Sequence, residues 1–502
     1  MKKKIYSLFA LTMLLVLLTG QMLVQADAGY TYNYDFWDET QYSPDSYAVK
    51  TTLSYLELGL DKRLSNASSL FVHDNYIYVC DAGNNRIIEI LFENDAYTVT
   101  RVIDSFTGDT EPLTFSNPQD IYVTDDGHIY ICDYGNGRVL KLTSDLEYVM
   151  SFTQPDDDLF DSSISFLPNK LIVDDAGRVY LVAVHVNKGL IKYEADGTFT
   201  GFVGSTPVTY DWYEYIWKNY LMTKEQRAQT QDFVPTEYDN IAVDKDGFMY
   251  VVTTHFDESE LKSDQAMPLR KLNSLGNDIL IKNGNNPPIG DIDWSSAGGY
   301  SGSSKFIDVT ALDNDTYFAL DQTRGRIFGY DSQGNLLYAF GGNGNKDGYF
   351  RKPVSIEHMG YDLLVLDATD GQITVFTPTE YGAKIYAALE SYQLGDYDTS
   401  ADIWREVLTL NGNYELAYIG IGRALLRQGE YKEAMKYFET KMDEDNYAKA
   451  FKLYRKEWVE DHIVIIFVVI VLALLIPFVI SRIKNVREEV AKYEEECRTL
   501  RR

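Results

Sequence analysis

Four polar residues, Asp120, Lys170, Asn240 and Asp308, stand at one place in a recurring segment, just ahead of short β-branched or aliphatic runs. Three of these segments read DIYVTDDG, KLIVDDAG and NIAVDKDG, each closed by an acidic and Gly turn that suits a hairpin. Carboxylates and an amide at one level are the oxygen donors that a hard cation such as Ca²⁺ takes. Lys170 works against that use, because its ammonium repels a cation and suits a pair with Asp120. A salt-bridged structural ring is therefore expected. A second candidate is aromatic: Trp212, Tyr213, Tyr215 and Trp217 lie in a long insertion over residues 204–235, and Trp294 lies in another. Such rings offer amphipathic faces for stacking on a sugar or for meeting a protein partner. His185 and His255 take matching positions after two short strands, but two histidines make no metal site. The sequence has no H-x-E, closely paired cysteines, nucleophile elbow or Gly-rich phosphate loop. No catalytic residue, metal or cofactor is expected.

The elements that must position these residues come from an internal repeat. Residues 76–90 read YIYVCDAGNNRIIEI and residues 128–142 read HIYICDYGNGRVLKL: an alternating strand, an Asp, a turn and a second strand. Related strand pairs recur at 168–193, 238–273, 306–331 and 353–376, at spacings near the 40 to 50 residues of a propeller blade. The pattern resembles the NHL repeat, through Asp81 and Arg86, Asp133 and Arg138, and Asp321 and Arg326, each pair five residues apart. The resemblance implies a six-bladed β-propeller over residues 47–378, with the Asp and Arg locking the turn between second and third strands. Ala183, Thr253 and Gln372 break the motif in the other three blades, so a shared ligand ring built from it is not implied. Six-bladed lactonase-like hydrolases bind a cation near the mouth of the channel, so the resemblance also supplies a competing expectation. That is a cation-dependent hydrolase or lyase using Asp120, Asn240 and Asp308.

Blade six lacks an outermost strand after Phe376, while YAVKTTLSYLEL at 47–58 has no blade of its own, so the N-terminal strand is expected to close the ring. Cys80 and Cys132 fall on equivalent strands of neighbouring blades, usually too far apart for a disulfide, and read as packing residues. Connections between blades share one face with the turns between second and third strands. The long insertions of blades three to five therefore gather on that face.

Beyond the propeller, residues 1–26 have the layout of a signal peptide and 27–46 form an N-terminal extension. From Tyr381 the period becomes helical. Tyr397 and Tyr431, and Trp404 and Phe438, are separated by the 34 residues of a tetratricopeptide repeat, which residues 379–460 resemble. Residues 461–481 contain an uncharged run from Ile463 to Ile480, long enough to span a bilayer, and 482–502 form a tail. Arg482, Lys484 and Arg487 follow the span, which places that tail in the cytoplasm and the propeller outside the cell. A net charge of −29 disfavours nucleic acid as a partner. The expected fold is mainly β with a small helical domain and one transmembrane helix. The expected function is that of a membrane-anchored extracytoplasmic binding or scaffold protein. Its blades three to five and its stalk would engage a carbohydrate, peptide or protein, and its span or tail would meet a transporter or sensor in the same membrane.

Overall fold

A computed structural model describes residues 31–204, 237–256, 260–261, 267–282, 288–292 and 302–500, apart from 36, 38, 158, 161 and 162. The chain divides into one unit of Met1–Leu389 with Thr409–Asn413 and another of Glu390–Leu408 with Tyr414–Arg502. The signal-peptide segment and the aromatic insertions lie outside the described residues.

Among the described residues the first unit contains six antiparallel sheets. Their innermost strands are Ser69–His73, Pro118–Val123, Pro168–Val173, Asn240–Val243, Phe306–Ala311 and Pro353–Met359. Each neighbours the next and the last returns to the first, which makes a six-bladed propeller. Alternation along the strands sends apolar side chains to both faces of each sheet, so the cores lie between blades. One core joins Cys80 and Ile87 of blade one to Ile121, Ile131 and Leu140 of blade two; the next joins Cys132 and Val139 to Leu171 and Leu181. Both cysteines are buried free thiols inside these interfaces. Tyr47–Ser54 pairs antiparallel with Gln372–Pro378 and completes blade six from the N-terminal end of the chain.

Residues 27–46 are more than an extension. Tyr32–Tyr34 pairs with Thr40–Tyr42 and reaches the outermost strand of blade five at Ala339, so that blade has six strands. Side chains hold it: the Tyr32 hydroxyl donates to Asp291 over 2.7 Å and accepts from Arg326 over 2.7 Å, and Tyr34 also bonds Asp291. Three-residue strands show no alternation to read in a sequence.

Five helices follow: α1 (Glu380–Gln393), α2 (Tyr397–Leu410), α3 (Glu415–Gln428), α4 (Tyr431–Thr440) and α5 (Glu444–Thr499). In the second unit Gly420 admits the Trp404 ring and Gly422 admits Phe438, while a left-handed Gly429 ends α3. An alanine Cβ at 422 would stand 2.6 Å from the Phe438 ring. Gly422→Ala is therefore expected to cost the helical unit about 1–3 kcal/mol in denaturant unfolding of the full chain in detergent. Unchanged stability would show that α3 and α4 do not pack this way. Helix α5 is unbroken over 56 residues, passing through Pro477, and contains a segment long and apolar enough to cross a membrane. The segment before the apolar run, that run and the tail form this one continuous helix.

Candidate functional site

Every innermost strand carries one polar residue at the same height, each followed by an aliphatic side chain. Register shifts near Pro118, Pro168, Phe306 and Pro353, just before these positions, re-aim the backbone there. Ser69 and Ser355 complete the set begun by Asp120, Lys170, Asn240 and Asp308, and all six are buried. They form a hydrogen-bonded belt. Asp120 accepts from the Ser69 hydroxyl over 2.6 Å and from the Leu171 amide over 2.9 Å. The Lys170 ammonium lies 3.8 Å from Asp120 and donates to the Ser69 hydroxyl over 2.9 Å. Asp308 accepts from the Asn240 amide (2.7 Å), the Val309 amide (2.8 Å), the Ser355 hydroxyl (2.7 Å) and the Ile356 amide (2.8 Å).

Burial pushes the Asp308 carboxyl up to about 6, although Lys170 and the donors around it pull the other way. The Asp120 carboxyl is raised too, chiefly by burial. Burial opposes the Lys170 charge, but Asp120 and Asp308 outweigh it and hold the ammonium above its ordinary range. Two pairs result, Asp120 with Lys170 and Asp308 with Asn240. Carboxylate lone pairs already used by these donors are not offered to a cation. Among the described residues no group of three or more His, Cys, Asp or Glu side chains is placed to hold a metal ion.

Five of the belt residues, Ser69, Asp120, Lys170, Asn240 and Asp308, line one end of a cavity. A space of about 540 Å³ extends from the belt along the innermost strands toward their C-terminal ends. Its wall includes Phe71, His73, Tyr122, Thr310, Glu357 and His358, and Asp125, Asp126, Asp174 and Asp175 stand in the turns at the rim. Those turns join first to second strands, so the cavity opens on the face opposite the one assigned to the insertions.

Glu357 and His358 were not singled out by sequence, because blade six repeats nothing recognisable there. Thr310 brings them together: its hydroxyl lies 3.2 Å from Glu357 Oε2 and 2.7 Å from His358 Nδ1. Burial raises the Glu357 carboxyl to about 8, with the Asp308 charge adding to it, while burial lowers His358. Burial also raises the Tyr122 phenol to about 12, helped by the charges of Asp125, Asp175 and Glu357.

The other candidates behave differently. The His185 amide donates to Glu237 over 2.8 Å, and His255 Nδ1 lies 3.5 Å from Asp239; the two histidines flank neighbouring residues without converging on one point in any observed bond. Trp212, Tyr213, Tyr215, Trp217 and Trp294 lie outside the described residues. The Asp and Arg turns hold as ion pairs in two blades, Arg86 with Asp81 at 2.7 Å and Arg138 with Asp133 at 2.8 Å. In blade five Arg326 turns instead to Asp291 at 2.6 Å, and Asp321 accepts from Ser304 and the Lys305 amide. The constant job of the Asp is to fasten the chain arriving from the preceding blade: Asp81 accepts from the Ser65 amide, Asp133 from Ser116 and Asp367 from Lys352.

Fold and turns together define a six-bladed β-propeller containing an NHL repeat, the family whose pattern matches residues 115–142. Solved structures similar to it include virginiamycin B lyase from Staphylococcus aureus, with 11% identity over 66% of this chain and 99% of that one, at a TM-score of 0.39. A streptogramin B lyase is similar at 12% identity over 71% of this chain and 89% of that one, TM-score 0.35. The extracellular domain of a protein described as a one component system from B. thetaiotaomicron is similar at 11% identity over 66% of this chain and 40% of that one, TM-score 0.35. Curated proteins give no match in sequence.

Proposed function

We propose that this chain is a single-pass membrane protein that holds a propeller outside the cell and works there by binding. The observation that carries this reading is the belt. Carboxylates that a cation-dependent hydrolase would use are committed to donors of their own and neighbouring blades, while the space above them is the size of a small-molecule site, roughly 300–1,000 Å³. The insertions of blades three to five, on the other face, form a second surface for a carbohydrate, peptide or protein. Residues 379–460 act as a tetratricopeptide-like stalk, a reading supported by Trp404 and Phe438, 34 residues apart, which pack against Gly420 and Gly422 of the helix between them. Helix α5 spans the membrane once and ends in the cytoplasm, where a transporter or sensor is the partner in reach.

Cysteine chemistry tests the topology without any added probe site, because Cys80 and Cys132 are buried and Cys497 is exposed. A membrane-impermeant maleimide applied to intact cells should leave the chain unlabelled and should label Cys497 once the membrane is opened. Labelling of Cys497 from outside overturns the orientation. Binding is tested by screening the full chain in nanodiscs on glycan and peptide arrays, beside a variant lacking residues 208–232. Signal lost with the deletion supports the insertion face, and signal retained moves binding elsewhere.

A further inference from the structure

We propose that the cavity above the belt binds a small organic cation bearing N–H donors, an alkylammonium or guanidinium group, with Glu357 as its counter-ion. This rests on the reading of the propeller as a binding module and names a ligand class for a part of it that the sequence did not point to.

Charge balance is the first argument. Seven carboxyl side chains and two lysines line the cavity. Lys170 answers Asp120 in the floor, and Lys141 sits over the Tyr130 ring at 5.3 Å. Glu357 has no such partner. Among the described residues no lysine or arginine lies within salt-bridge distance of it; its close polar neighbours are the Thr310 hydroxyl, its neighbour's His358 amide at 3.3 Å, and the His358 ring at 3.9 Å. Yet 21% of its side chain is reachable from the cavity. A carboxylate held away from bulk water without a counter-ion is costly, and a ligand cation removes that cost.

Shape gives the second argument. The Phe71 and Tyr122 rings, 4.7 Å apart, line the same space as Glu357. Aromatic faces attract organic cations and also cover an alkyl chain. A bare metal ion fits less well, since no metal-holding cluster exists among the described residues. At the rim Asp174 is paired with Arg178 at 2.7 Å, while Asp125, Asp126 and Asp175 add negative charge that draws cations toward the opening.

Glu357 must ionise to act as counter-ion, so binding is linked to proton release. The groups facing it are Asp308 and Thr310 from Phe306–Ala311, His73 from Ser69–His73, Asp120 and Lys170 in the floor, and His358 on its own strand. Neighbouring carboxylates strengthen the preference for a cation, and Lys170 is already engaged.

The test is isothermal titration of the full chain in nanodiscs with n-butylammonium and agmatine, with n-butanol and butyrate as neutral and anionic controls. Saturable binding of the cations alone is expected, about 25-fold tighter at pH 8.5 than at pH 6.5 because Glu357 gives up its proton. Glu357→Gln keeps the shape and should lose that binding while retaining a cooperative thermal transition. No saturable cation binding, equal binding by the folded variant, or affinity independent of pH overturns the proposal. Array binding through the insertion face that persists in such a case leaves the broader reading standing; loss of both removes it.

Discussion

Replacing Asp120 by alanine is expected to destabilise the propeller by about 3–5 kcal/mol, because Lys170 would then be a buried cation with its nearest counter-ion gone. The Leu171 amide and the Ser69 hydroxyl lose their acceptor in the same step. Lys170→Met should cost less, since a buried carboxyl without its cation can take up a proton, as its raised position already favours. The double variant Asp120→Ala with Lys170→Met should recover more than half of the first loss, the orphaned Leu171 amide accounting for the rest. Denaturant unfolding of the full chain in detergent, followed by intrinsic fluorescence, measures all three. A single variant within about 1 kcal/mol of wild type, or a double variant no better than Asp120→Ala, would show that the two residues are not coupled. The same series separates a structural belt from a cation site, because a cation site should gain affinity for Ca²⁺ once the repelling ammonium is removed.

The propeller was legible because its signals repeat. Alternating strands, the Asp of four of the turns and the missing outer strand of blade six all belong to a closed ring of sheets, and Tyr47–Ser54 fills the gap they predict. The belt was legible only in part. Asp120, Lys170, Asn240 and Asp308 attract notice as ionisable or amide side chains, whereas Ser69 and Ser355 do the same work with a hydroxyl that looks like any surface serine. Its place as a floor depends on where open space lies along the strands, and periodicity carries no such information. Glu357 and His358 were invisible for a related reason. A Glu beside a His near the end of an innermost strand reads as an ordinary edge of blade six until Thr310 ties both together at the cavity wall. The N-terminal tyrosines escaped because their hold on blade five is made by hydroxyls on Asp291 and Arg326, far away in the chain.

Stability should fall as pH rises through neutrality, and Glu357 should be the cause. An unfolded glutamate is ionised above about pH 5, while the folded chain holds this proton until about 8. The folded state therefore binds more protons throughout that window. Its advantage is complete below the ordinary glutamate range and lost as pH climbs through 8. Between pH 7 and 9 the expected loss is about 1.4 kcal/mol, the value of one proton followed across its titration. Asp308, at about 6, has finished its own contribution below this range, and the lowered His358 acts with opposite sign only near and below its ordinary value. The buried thiols of Cys80 and Cys132, both raised by burial, add a downward slope of comparable size that a Glu357→Gln variant shares. Subtracting the variant's pH profile from that of the wild type isolates the glutamate. Parallel profiles would show that Glu357 is ionised in the fold at neutral pH and already has its partner. A wild-type slope that disappears in Glu357→Gln, and shrinks when n-butylammonium is added, would tie the cost of the buried carboxylate to the ligand that relieves it.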